Sequence, residues 1–206
     1  MVSIILASAS ARRQELLSQI GVLFSVRSQD IDESIRNAEL AGDYVTRMAQ
    51  EKADSALSAL HDKKDSKDTV VLAADTSVVC DDDVLGKPID EEDAVAMLRR
   101  LSGREHRVLS AVTVSTLEKR HTVLSESRVR FRAISSEEAR QYYRSGEPVD
   151  KAGAYAIQGY ATIFIEQLIG SYSGVMGLPL FETAQLLAEF SVPVLPVQSM
   201  DHSIVI

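Results

Sequence analysis

Two apolar runs constrain this chain more than any other feature. Val2 to Ala7 and Thr69 to Ala74 are apolar almost throughout and lack the alternation of a strand that faces water on one side. Each has the length of a strand covered on both faces, and each stops at small or polar residues, Ser8-Ala9-Ser10 in one case and Asp75-Thr76 in the other. Behind the first run Leu16, Leu17 and Ile20 recur at helical spacing until Gly21 closes the pattern. Strand, tight loop and helix stop therefore follow one another at the start of the chain, as in a sheet packed against helices.

The remaining sequence extends this alternation. Leu23 to Val26 reads as a short strand, and the polar segment Ser28 to Asn37 as a surface loop. Ala38 to Leu60 carries apolar residues at a 3.6-residue period and predicts a long amphipathic helix, followed by a charged loop from His61 to Asp68. After Thr76, Ser77 to Cys80 continues extended, Asp81-Asp82-Asp83 forms a hairpin tip, and a helix spans about Asp90 to Leu101. Arg107 to Ser115 and His121 to Ile134 alternate and pair as antiparallel strands, with Arg128, Arg130 and Arg132 opposite Val129 and Phe131. Ser135 to Glu138 starts a helix by its capping residues, and another helix runs from Pro179 to Phe190. The expectation is an α/β fold with a central curved mixed sheet, residues 1–190 forming one domain and 191–206 a tail without clear period.

Composition narrows the function. The chain of 206 residues carries 22 basic and 30 acidic side chains, a net charge of -8, which opposes binding to nucleic acid or an anionic membrane surface. No apolar run approaches the ~18 residues of a membrane span, and the first run lacks the basic flank of a signal peptide, so a cytoplasmic protein is expected. The single cysteine, Cys80, allows no internal disulfide and no cysteine-rich zinc site. His61, His106, His121 and His202 are scattered without metal-motif spacing. If the ligand is a polyanion, a local cluster of cations must hold it.

One such cluster starts at the first loop. Ser8-Ala9-Ser10-Ala11-Arg12-Arg13 joins a buried strand to a helix, where free N–H groups and the helix dipole attract an anion. Arginines in a first helical turn cost the helix about 0.3–1 kcal/mol each, so Arg12 and Arg13 either serve phosphate oxygens or are merely solvated. Asp75, directly after the second apolar run, is placed either to bind Mg²⁺ and activate water or to satisfy a turn. Glu33, in the loop Asp30 to Ser34, is either a solvated loop acid or a second carboxylate of the kind Mg²⁺ takes beside phosphate and water. Lys52, Lys87 and Lys151 are either ordinary surface lysines or further cations of the cluster, Lys87 the more suggestive because Pro88 holds it extended. Gln158, one amide in a small and apolar stretch, either offers donor and acceptor to a base edge or caps a turn at a strand end.

Taken in order, Leu6-Ala7-Ser8-Ala9-Ser10-Ala11-Arg12-Arg13, Ala74-Asp75-Thr76, Gly86-Lys87-Pro88, Leu98 to Gly103, Lys151-Ala152-Gly153-Ala154-Tyr155 and Gly177-Leu178-Pro179 resemble the Maf family of nucleoside triphosphate pyrophosphatases. The resemblance spans about Val2 to Phe190, with Ala11 where the family usually has proline. It implies a two-lobed α/β fold like that of the inosine triphosphate pyrophosphatases, with a deep nucleotide cleft, and hydrolysis of a nucleoside triphosphate to monophosphate and pyrophosphate with Mg²⁺ or Mn²⁺. It assigns Ser8, Arg13, Glu33, Lys52, Asp75 and Lys87 to the phosphate and metal centre, Glu33 and Asp75 to the metal, and Asp75 to the role of proton acceptor. Arg12, Thr76 and Gln158 resemble the branch acting on dTTP and UTP; the branch acting on 7-methyl-GTP carries an aromatic residue, glutamine and glutamate at those places. A homodimer is a family-level expectation. The competing reading is a nucleotide-binding regulator of septum formation that does not turn its ligand over, against which the paired carboxylates Glu33 and Asp75 speak.

Overall fold

The computed structural model describes residues 3–60 and 69–195. The loop expected over 61–68, His61, His202 and the tail beyond residue 195 lie outside the described residues. The first apolar run forms β1 (Ser3–Leu6), Ser10 caps α1 (Ala11–Gln19), and Ser25–Val26 is all that pairs of the short strand, as β2. The amphipathic helix is α2 (Ala41–Ser58), shorter at each end than its apolar pattern, followed after the undescribed segment by β3 (Thr69–Cys80). Asp81 and Asp82 take φ of 53° and 67°, the left-handed pair a tight hairpin needs, and turn the chain into β4 (Asp83–Leu85). Then come α3 (Glu91–Leu101) capped by Asp90, β5 (Glu105–Ser115), β6 (Arg120–Phe131) and α4 (Ser136–Tyr143) with a full capping box between Ser135 and Glu138. Single 3-10 turns at Ala152–Ala154 and Tyr160–Phe164 lead to β7 (Ile165–Ile169), α5 (Tyr172–Met176) and α6 (Leu180–Glu189).

The described strands make one mixed sheet in the order β2-β1-β3-β5-β6-β7, with β4 beside β3. β3 organises it. On one side β5 accompanies it antiparallel from Val71 to Val79. On the other side β1 pairs parallel with Thr69 to Leu72, and β4 pairs antiparallel with Val78 to Cys80. Between Leu72 and Val78 no described strand pairs with that edge, because β1 has turned away into Ser8 to Ser10 and β4 has not begun. This corrects one expectation: Asp75 and Thr76 stand in the middle of a continuous strand, held by β5 opposite Ala111 and Ser110, and not at its end.

The core divides about the same point. Val70, Leu72 and Ala74 pack with Leu16, Leu17, Leu186 and Leu187, whereas Val78 and Cys80, on the same face, pack with Leu98, Leu101, Phe131 and Ile134. Thr76 lies between the two clusters. On the opposite face α2 runs along the strands, setting Ala53 and Ala56 against Val71 and Ala73, and Val45 and Ala49 against Val79 and Leu109. Burying each large side chain stabilises by roughly 1.5–3 kcal/mol, so both clusters hold the middle of β3 firmly from its ends.

Candidate active site

Arg13 leaves its helix and reaches across the chain. Its Nε donates to the carbonyl of Gly177 at 2.9 Å, Nη1 to Ser8 Oγ at 3.3 Å and Nη2 to Thr76 Oγ1 at 3.3 Å. Gly177 adopts a φ of 121°, a conformation side chains rarely take, and this turns its carbonyl toward the guanidinium. Burial lowers the Arg13 pKa, and the charges of Asp75 and Glu33 oppose that loss, so the cation persists. Ser8 Oγ also accepts from Ser10 N at 3.2 Å, which leaves its own proton for a ligand. Serine hydroxyl, guanidinium and the α1 N-terminus thus face one space, the arrangement a phosphate requires.

Beside it stands a second ionic group. Lys52, on the buried face of α2 and 8% exposed, places Nζ 2.7 Å from Asp75 Oδ1 and 2.7 Å from Glu33 Oε1. An unpaired ammonium so buried would cost several kcal/mol, and the two carboxylates offset that cost. Burial raises the Glu33 pKa, but the hydrogen bond and charge of Lys52, with the charges of Lys87 and Arg13, outweigh it and hold the carboxyl below its ordinary range. Tyr44 donates to the Glu33 carbonyl at 2.9 Å and fixes the loop; burial, then the charges of Asp75 and Glu33, push its phenol up to about 12, so it stays protonated. Glu33 and Asp75 reach one nitrogen, so they converge on a position that selects a cation. Two hard carboxylates are what Mg²⁺ or Mn²⁺ takes from a protein when phosphate oxygens and water complete the shell, so the donor set fits such an ion.

At the mouth, the Gln158 amide faces Arg12 Nε and Nη2; a guanidinium only donates, so the amide oxygen is assigned to that side, 3.2 Å from both nitrogens, and Arg12 also pairs with Glu15. Behind them the wall is apolar, with Val78, Leu85, Val108 and Met176. Tyr155 belongs to this wall; its hydroxyl is held 2.9 Å from buried His106. Gly153, at φ 66°, lets the Lys151–Tyr155 segment close on β3, since a Cβ there would stand 2.9 Å from Val78.

All of these groups line one cavity of about 940 Å³: Ser8, Arg12 and Arg13 from the first loop, Glu33 and Lys52 from the α2 side, Asp75 and Thr76 from β3, then Lys87, Lys151 and Gln158. That volume is in the range of a ligand pocket. Sequence reasoning did not single out Tyr44, Ser110, Tyr155 or Gly177 as individual site residues. Tyr155 and Gly177 lay within motifs already quoted, and Ser110 was a lone hydroxyl in the apolar stretch Val108 to Val112, which is a usable signal.

Residues 3–190 match the family described as Maf-like protein. The chain is 51% identical over 191 residues to the dTTP/UTP pyrophosphatase of Hahella chejuensis, covering 93% of this chain and 94% of that one. It is 50% identical to the dTTP/UTP pyrophosphatase of Methylobacillus flagellatus over 94% of this chain and 96% of that one. The dTTP/UTP pyrophosphatase of Vibrio vulnificus is 47% identical over 92% of this chain and its own full length.

Proposed function

This chain belongs to the Maf family, and we propose that it hydrolyses dTTP and UTP to the nucleoside monophosphate and pyrophosphate. The observation that carries the reading is the convergence of Arg13, Lys52 and Lys87 with Glu33 and Asp75 around one cavity, in a chain similar over most of its length to proteins of that name. A triphosphate brings roughly four negative charges near neutral pH, and in an acidic chain these cations are the local counterweight.

Water attacks the α-phosphorus, a P–O bond forms to it, and the bond to the bridging oxygen breaks with pyrophosphate leaving. Asp75 accepts the proton of the attacking water; it sits on a strand fixed by β5 and is oriented by Lys52. Lys52 spends two of its three donors on Asp75 and Glu33, and the third is free for a phosphate oxygen. Arg13 and Ser8 orient the phosphates, while Arg12, Thr76 and Gln158 read the base. Glu33 and Asp75 would hold a divalent cation, Mg²⁺ or Mn²⁺, which when bound neutralises the leaving pyrophosphate. The reading extends to a cytoplasmic homodimer, in keeping with one free, buried cysteine. Among the described residues no helix is long and apolar enough to cross a membrane.

A nucleotide panel with Mg²⁺ or Mn²⁺, scored for pyrophosphate against orthophosphate, tests the proposal. Pyrophosphate from dTTP and UTP is expected. Orthophosphate and a nucleoside diphosphate would overturn the reaction, and binding without turnover would favour a nucleotide-sensing regulator.

A further inference from the structure

The direction of a buried hydroxyl is known once its proton is accounted for. Ser110 lies on β5 opposite Thr76 and is 1% exposed. Its Oγ stands 2.6 Å from the carbonyl oxygen of Gly174, which only accepts, so the one proton of Ser110 is spent there. Thr76 Oγ1 is 2.9 Å from the same Ser110 oxygen, and with that proton committed Thr76 is the donor. The other acceptor near Thr76, the carbonyl of Gly177 at 3.4 Å, draws on the same Thr76 proton. Arg13 Nη2 occupies one Thr76 lone pair at 3.3 Å. What Thr76 has left for the cavity is a lone pair.

Gln158 has the opposite polarity. With its oxygen assigned to the side of the donor-only Arg12 guanidinium, its NH₂ remains to donate. Uracil and thymine present an acceptor at O4 and a donor at N3–H; cytosine presents a donor at its amino group and an acceptor at N3. A site with one acceptor and one donor is complementary to the first pair only in one sense, and the hydroxyl chain is what fixes that sense.

We propose that Ser110 is a positioning residue for base choice: by taking the proton of Thr76 it makes Thr76 an acceptor, which with the donor amide of Gln158 admits uracil and thymine and opposes cytosine. The inference rests on the dTTP and UTP reading above and adds the residue that sets its polarity. Ser110 touches no nucleotide and acts through Thr76.

The test is kcat/KM for dTTP and dCTP in the wild type, Ser110→Ala, Thr76→Val and the double variant. In Ser110→Ala the Thr76 proton keeps only the long contact to Gly177, with Arg13 still on the oxygen, and can turn to donate to cytosine N3, so the dTTP/dCTP ratio is expected to fall about tenfold. In the Thr76→Val background the second substitution is expected to leave the ratio where it is. A ratio is indifferent to a general loss of active protein, so a merely structural role would not move it. Should Ser110→Ala not fold, Ser110→Cys, a poorer acceptor of similar size, replaces it with a smaller shift in the same direction. An unchanged ratio in the Ser110 variant, or the same fall with Thr76 already removed, overturns the inference while the substrate reading stands. A wild type that accepts dCTP as readily as dTTP overturns both.

Discussion

Helix α2 carries two cations, each between two carboxylates, and they could hardly differ more. Arg47 holds Glu39 through Nε at 2.6 Å and Nη2 at 2.7 Å, Glu51 through Nη1 at 3.3 Å, and the Ser34 carbonyl through Nη2 at 3.0 Å. Every nitrogen of its fork has a partner within the protein, and the result is a clasp that ties the loop after Glu33 to the helix. Lys52 also pairs with two carboxylates, yet it keeps a donor in hand, and all three groups line the cavity. Ion pairs alone do not mark a site. What distinguishes the set proposed to react is that its charges are incompletely spent and face a space a ligand can enter.

That contrast can be broken by substitution. The largest effect is expected for Asp75→Asn, which keeps size and much of the hydrogen bonding but removes the charge: kcat falls at least ~10²-fold while nucleotide affinity persists. Separate binding and turnover measurements decide it, since near-normal turnover would make Asp75 structural and pass the base role to Glu33. Lys52→Met is expected to lower kcat/KM by about 10- to 100-fold, because Glu33 and Asp75 then face each other uncompensated and the phosphates lose a donor. Glu39→Gln, at the clasp, should leave kcat within about twofold and lower Tm by only a few degrees. A loss of turnover there as deep as in Asp75→Asn would dissolve the distinction between the two groups.

The clasp should also show in acid. Hydrogen bonds from Arg47 hold the Glu39 carboxyl down at about 2, against an ordinary 4.5. The unfolded chain takes up that proton first, so the contribution is complete above about 4.5 and is lost as pH falls toward about 2. Urea midpoints of wild type and Glu39→Gln are therefore expected to differ at neutral pH and to converge near pH 2. The smallest effect belongs to Glu51→Gln, whose contact with Arg47 is long, at 3.3 Å, and whose 2.9 Å contact is with the exposed Arg36; neither midpoint nor turnover should change measurably.

The sequence showed the scaffold more readily than the geometry of the site. Unbroken apolar runs marked β1 and the first half of β3, the alternation of Val129 and Phe131 with arginines marked β6, and Ser135 with Glu138 marked the start of α4. These signals are local, and local patterns survive without knowledge of neighbours. The middle of β3 was hidden because Asp75 and Thr76 look like a strand stop, and only pairing with the distant β5 carries the strand through them. The short helix α5 has too few residues to show a period. Glu33 and Asp75 could be named as candidates one by one, but their sharing of Lys52 depends on a loop folding back over a helix, which no spacing reveals.

The bond from Arg13 to Gly177 joins positions 164 residues apart. During synthesis the ribosome delivers Ser8 and Arg13 almost at once, but the carbonyl that orients the guanidinium emerges only when nearly all of the family region has been made. Until then Arg13 lacks the partner that fixes its Nε, so this contact closes late in synthesis, a long loop to be ordered before it forms.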